Sequence, residues 1–238
     1  MSQRRSSKPK TGRSNVTPSR STPRHTSERP TNTVVIPPAT RRIEQITQVL
    51  GEVLQWTHPA DQCLSYWMRN QKKMGGRDRA EVTNAVFAVL RHLRLFRQAV
   101  QSFAGSNTRA LAILGLSTVA EVEYVHSGLN PEEQAWLEHA QTLLRTPMAF
   151  ELQYSLPDWL AEAIQQLPEP EALAAALNQE APLDLRVNTL KSDRDTVLAS
   201  LRHKKLKQFK FEATPYSPWG IRVLGRPFMG KWPEYVNG

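Results

Sequence analysis

Arginine and lysine are the side chains of this sequence whose grouping points to chemistry, and that chemistry is recognition of phosphate rather than bond making. Residues 69–109 carry nine basic side chains (Arg69, Lys72, Lys73, Arg77, Arg79, Arg91, Arg94, Arg97 and Arg109) against two acids. Residues 186–210 carry eight against two, and between the blocks residues 110–185 hold twelve acids and only Arg145. Segregated signs orient a charged partner better than an even mix does. Guanidinium forks and ammonium groups suit phosphate oxygens. The residues expected to contact RNA are Arg77, Arg79, Arg91, Arg94, Arg186, Asn188, Lys191, Arg194, Lys204 and Lys205. Arg186 and Asn188 fall on one side of a strand pattern and could meet the backbone and base edges of looped RNA. The competing reading is that these are solvated helix faces and a lysine-guarded edge strand.

Bond-making constellations are missing from the sequence. There is no HExxH, no CxxC and no GxxxxGKS/T loop, and the six histidines are scattered without zinc-ligand spacing. No serine sits in a GxSxG elbow. No catalytic residue, metal site or cofactor site is expected. Cys63 is the sole cysteine and lies in DQCLSYW, where it reads as a semi-buried structural thiol. One thiol cannot form an internal disulfide, so a reducing, cytoplasmic setting is the natural expectation. No apolar run is long enough for a bilayer.

Several elements must position these cations. Residues 1–40 are rich in Ser, Thr, Pro and Arg and read as a disordered basic tail. Residues 1–42 hold ten basic residues against Glu28, which accounts for the whole net charge of +9. Prolines there spoil a transit-peptide helix, and no apolar stretch follows Arg4-Arg5 to make a secretion signal. Residues 41–146 read as a helical bundle. Thr40 is a candidate N-cap for a first helix through Ile43, Ile46, Val49, Leu50 and Val53. A second helix runs through Leu64, Trp67 and Met68. Asp78 to about Phe103 reads as one helix with Val82, Val86, Val89, Leu93, Phe96 and Val100 in a stripe, Asp78 at its start, and Arg91, Arg94 and Gln98 on another face. Arg109–Leu116 and a Pro131-led segment complete the set. Residues 147–238 read as a small α/β unit. Its parts are an amphipathic helix from Pro157 with Trp159, Leu160 and Ile164 inward, a helix over 171–178, an alternating strand in PLDLRVNTL, a helix over 193–204, and strands over 210–213 and 220–224.

These segments together resemble the front of a known enzyme family. DRAEVTNAVFAVLRHLR is similar to a helix carrying a "GVLR"-like stretch, RALAILGL to the next helix, and LPDWLAEAIQQL to a "HPSWL" helix. LNQEAPLDLRVNTLKSDRDTVLASL is the most specific match, to an "NN..PP..LR.N" strand and its following helix, and ATPYSPWGIRV resembles the hairpin after it. The family is the Sun or RsmB-like (NOP-type) RNA cytosine-C5 methyltransferases, and the resemblance covers about residues 41–224. It implies a mainly α fold with a small α+β domain: a NusB-like helical bundle, then an RRM-like unit, both gripping ribosomal RNA. Arg186 and Asn188 match "LR.N" and take its RNA-facing role. The family's S-adenosylmethionine domain, with its "CAAPGGK" loop and its "TC" and "PC" cysteines, has no counterpart here, and Cys63 matches neither cysteine. The expectation is an RNA-binding region that is catalytically incomplete by itself, monomeric, without membrane or metal partners. Two alternatives stand beside it: a NusB-like protein-interaction module without a methyltransferase role, and a family name carried by a fragment. Trp219, Phe228 and Trp232 are candidates for an apolar face that meets a further domain.

Overall fold

The computed structural model describes residues 36–203, 209–225, 227, 229–230 and 232–237. Residues 1–35, and with them nearly all of the expected tail, lie outside the described residues, as do Lys204, Lys205 and Phe228.

Among the described residues, seven helices come first. Helix α1 (Pro38–Val53) begins three residues earlier than Thr40 would allow as a cap. Proline suits a first helical position, because the N–H it lacks would have no partner there. Thr40 is already inside the helix, and its hydroxyl donates to the carbonyl of Gly128 at 3.2 Å. Ala39 is fully buried against Gly128, where any Cβ would overlap the Ala39 backbone. The early start is thus fixed by tertiary contact. Helix α2 (Ala60–Asn70) follows Pro59 and buries Cys63, Leu64 and Trp67.

The long helix expected from Asp78 to Phe103 is two helices, α3 (Gly76–Arg91) and α4 (Leu93–Val100). His92 breaks them with ψ at 22°, and its ring rests 5.6 Å from that of Phe96. All six stripe residues are buried as expected, and the break buries Leu95 and Ala99 as well. It lets α3 lie on α1 and α5 while α4 turns onto α7. Asp78 does not cap α3. Gly75 holds that position, and Asp78 pairs with Arg42 at 2.5 Å.

Helix α5 (Asn107–Ser117) buries every residue from Ala110 to Leu116, so it is the central rod of the bundle. A short α6 (Val122–His126) leads to α7 (Pro131–Leu144). Asn130 and Glu133 form a reciprocal capping box at the start of α7. One apolar cluster unites α1 to α7.

A smaller cluster joins α8 (Phe150–Gln153), α9 (Asp158–Gln165) and α10 (Pro170–Leu177) around Leu156, Ala161, Ile164 and Ala174. Trp159 was expected to face inward but is 70% exposed. The inward stripe of this short helix is Leu160, Ala161 and Ile164, one step around the helix from Trp159.

The strands β1 (Leu183–Arg186), β2 (Lys210–Ala213) and β3 (Gly220–Leu224) form an antiparallel sheet in the order β1-β3-β2. Leu185 pairs with Ile221 and Ile221 with Ala213. β1 and β2 therefore run parallel, with β3 between them, and α11 (Arg194–His203) makes the crossover. Leu198 and Leu201 of α11 pack on Phe211, Ile221 and Val223. Asp193 starts α11, its carboxylate accepting from the Thr196 N–H at 2.9 Å and hydroxyl at 2.7 Å. A last turn, α12 (Pro233–Val236), follows Trp232, whose ring meets Phe211 edge-on at 5.8 Å. No described helix is long and apolar enough to cross a membrane, and the described residues hold no cluster of metal-ligating side chains.

Candidate nucleic-acid interface

The cations of the helical part divide into those that face water and those engaged internally. Arg79 is engaged. Its guanidinium donates to three backbone carbonyls: Met68 at 2.7 Å, Gln71 at 2.7 Å and Met74 at 3.1 Å. One fork thereby closes the last turn of α2 and the loop after it, where carbonyls lack helical partners. That loop carries Lys72 and Lys73, flanked by Arg69 in the last turn of α2 and Arg77 in the first turn of α3, all exposed. Arg79 is the fixed post behind these four exposed cations.

Arg94 is also engaged, although the helix pattern placed it on an outer face. It donates to the Leu156 carbonyl and to Asp158 Oδ1 at 2.7 Å. Arg109 holds Glu133 through two bonds, of 2.5 and 3.1 Å. Burial pushes the Glu133 carboxyl up, but the Arg109 fork and the Asn130 N–H outweigh it and hold the group below its ordinary value. Arg91 is half-buried in the last turn of α3, and Arg97 is exposed on α4.

Arg186, Asn188 and Lys191 line one groove past β1, and Lys191 shares a second depression with Arg194. Asn188 is not on the strand as the alternation suggested. β1 ends at Arg186, and the Asn188 side chain folds over its own turn to accept from the Leu190 N–H at 3.1 Å. Lys191 donates to the Asn237 carbonyl, and Arg194 reaches the Ser217 carbonyl at 3.4 Å. Arg186 is exposed beside the β2–β3 turn.

A groove of about 700 Å³ runs between β1, α11 and α12, floored by Val187, Val197, Leu201 and Ile221. The open face of the sheet is of a different character. Arg222 grips Asp184 through two bonds, of 2.8 and 2.9 Å, and Glu212 stands across from Arg222 on β2. The hydrogen bond from Arg222 holds the Asp184 carboxyl below its usual value. An acid–arginine–acid row crosses this face, and no described aromatic residue of the three strands lies on it. The exposed rings are instead at the turn: Tyr216 is 97% exposed and Trp219 52%. Trp219 had been singled out only as a possible apolar contact, and Tyr216 not at all. The sequence signal was two rings placed among prolines in Pro215-Tyr216-Ser217-Pro218-Trp219.

Residues 156–227 match the family model described as Methyltr_RsmF/B-like, ferredoxin-like domain. This stretch is similar to an RsmF/B-like ferredoxin-like domain. It takes in α9, α10 and the whole sheet, and the β1-α11-β2-β3 path is the split β-α-β arrangement such a domain is built on. The resemblance read from LNQEAPLDLRVNTLK is borne out for this region. A protein described as probable ribosomal RNA small subunit methyltransferase B, from Synechocystis sp. (strain ATCC 27184 / PCC 6803 / Kazusa), is 40% identical over 77 residues. Those residues are 31% of this chain and 17% of that protein. A solved structure described as the crystal structure of PH0851 aligns with a TM-score of 0.50 at 12% identity, over 79% of this chain and 49% of that one. That likeness concerns the fold alone and extends beyond the RsmF/B-like domain.

Proposed function

We propose that the chain is an RNA-gripping region of an S-adenosylmethionine-dependent ribosomal RNA cytosine-C5 methyltransferase. The match of residues 156–227 to the RsmF/B-like domain carries this reading. Arg186, Lys191 and Arg194 at one end of that domain, with Asn188 beside them, and Arg69, Lys72, Lys73 and Arg77 at the α2–α3 junction, supply the polar contacts. In this reading residues 41–146 are a NusB-like bundle and 147–238 the RNA-facing unit.

Methyl transfer is assigned to residues other than these. Cys63 is buried in the bundle and its thiol points at the His58 carbonyl, 3.8 Å away. The turn from β1 into α11, residues 188–193, contains no glycine to let a cofactor approach the backbone. In this reading the β1–α11 turn does not hold S-adenosylmethionine. Titration with ribosomal RNA fragments at two salt concentrations tests the proposal. Binding that weakens as salt rises is expected, and methyl transfer by the chain alone is not. Absence of RNA binding at low salt, or turnover by the chain alone, would refute it.

The internal engagement of Arg79, Arg94 and Arg109 favours a second reading for the bundle, as a protein-interaction module. Lys72→Glu with Lys73→Glu and Arg77→Glu separates the two. RNA affinity collapses if the bundle grips RNA and holds if it does not.

A further inference from the structure

Tyr216 and Trp219 stand on a backbone that is fixed before any partner arrives. The Thr214 N–H donates to Gly220 O at 3.0 Å, the Thr214 hydroxyl to Ser217 O at 3.1 Å, and the Gly220 N–H to Ser217 O at 3.3 Å. The Val187 N–H, just past β1, donates to Trp219 O at 2.9 Å. Gly220 admits no side chain, because a Cβ there would overlap the Thr214 hydroxyl. Pro215 and Pro218 stiffen the turn further. Rings presented this way lose little entropy on binding.

Each ring shares a depression with cations. Trp219 lines one of about 580 Å³ with Leu190, Lys191 and Arg194, and Leu190 is 94% exposed at its rim. Tyr216 lines a second, of about 260 Å³, with Arg186 and Arg222. Acids border both: Asp193 accepts from Thr196, Asp184 pairs with Arg222, and Asp195 lies beside Arg194 at 3.5 Å. Flat apolar faces alternating with cations at base-to-phosphate reach are what an unpaired nucleotide chain requires. A duplex keeps its base faces stacked and cannot use the rings.

We propose that the β2–β3 turn binds unpaired RNA, with bases stacked on Trp219 and Tyr216 and phosphates held by Arg186, Lys191 and Arg194. The site rests on the RNA-binding reading above and narrows its ligand to single-stranded segments.

The test titrates the full chain with a labelled single-stranded oligouridine and with a blunt RNA duplex of equal length. The single strand binds more tightly. Trp219→Ala weakens that binding roughly ten-fold, Trp219→Phe retains most of it, and duplex binding and the salt dependence stay as they were. Tyr216→Ala, at a side chain with almost no packing to lose, gives an independent loss. Unchanged single-strand affinity in both alanine variants overturns the site while leaving RNA binding intact. Equal losses for strand and duplex also overturn it. Ring variants that abolish self-association without touching RNA affinity would make this a protein surface instead. Failure of the parent chain to bind either RNA is the failure of the broader reading.

Discussion

Arg94 of α4 and Leu156, the first residue of the RsmF/B-like domain, are joined by a bond from guanidinium to carbonyl. Beside it, the Leu95 N–H donates to the Ser155 hydroxyl at 3.1 Å, and Ser155 has φ of 52°. The bundle thus meets this stretch at its entrance through hydrogen bonds to backbone groups and the Arg94–Asp158 ion pair.

Arg94→Gln removes the charged donor and leaves the Leu156 carbonyl under-satisfied. The expected loss is about 1–2 kcal/mol, seen as a lower Tm. Asp158→Asn should cost less than about 0.5 kcal/mol, because Asp158 is largely exposed and water screens the pair. Equal losses would place the strength of this joint in the ion pair.

Arg79→Met frees three carbonyls at once. Stability should fall by roughly 2–3 kcal/mol. Limited trypsin digestion should then cut faster at Lys72 and Lys73, the exposed residues of the loop that Arg79 organises. RNA affinity should also drop, since the four exposed charges beside the loop that Arg79 braces lose their fixed base.

Glu133 gives a pH signature. Its folded value is lowered from 4.5, so its ionised form stabilises the fold above that pH. That contribution is lost as pH falls below 4.5 and through the lower folded value. Glu133→Gln should cost about 1–3 kcal/mol near neutrality. Denaturant melts of the two proteins should converge as the pH drops under 4.5.

Gly220→Ala should destabilise the sheet by about 1–3 kcal/mol through overlap with Thr214. It should also displace Trp219. Near-ultraviolet circular dichroism would report the loosened indole, and an unchanged spectrum with wild-type stability would contradict the packing described here.

Much of the fold could be read from residue spacing. Val82, Val86, Val89, Leu93, Phe96 and Val100 were correctly grouped because a stripe depends only on periodicity. The break at His92 was invisible, since His carries no breaker signature and the kink arises from α3 and α4 packing on different neighbours. Likewise Ala39 was assigned to the tail because its burial comes from Gly128, far along the chain. The interface was half legible. The clustering of Arg186, Lys191 and Arg194 followed from sequence proximity. The engagement of Arg94 and Arg79 did not, because local pattern reports which way a side chain points and not which carbonyl waits there.

The all-round burial of α5 has a consequence for how the bundle comes apart. A helix with no wet side cannot fray away while its neighbours stay in place. The amides of Ala112, Ile113 and Leu114 should therefore exchange with deuterium only when the entire bundle opens, as a single cooperative event.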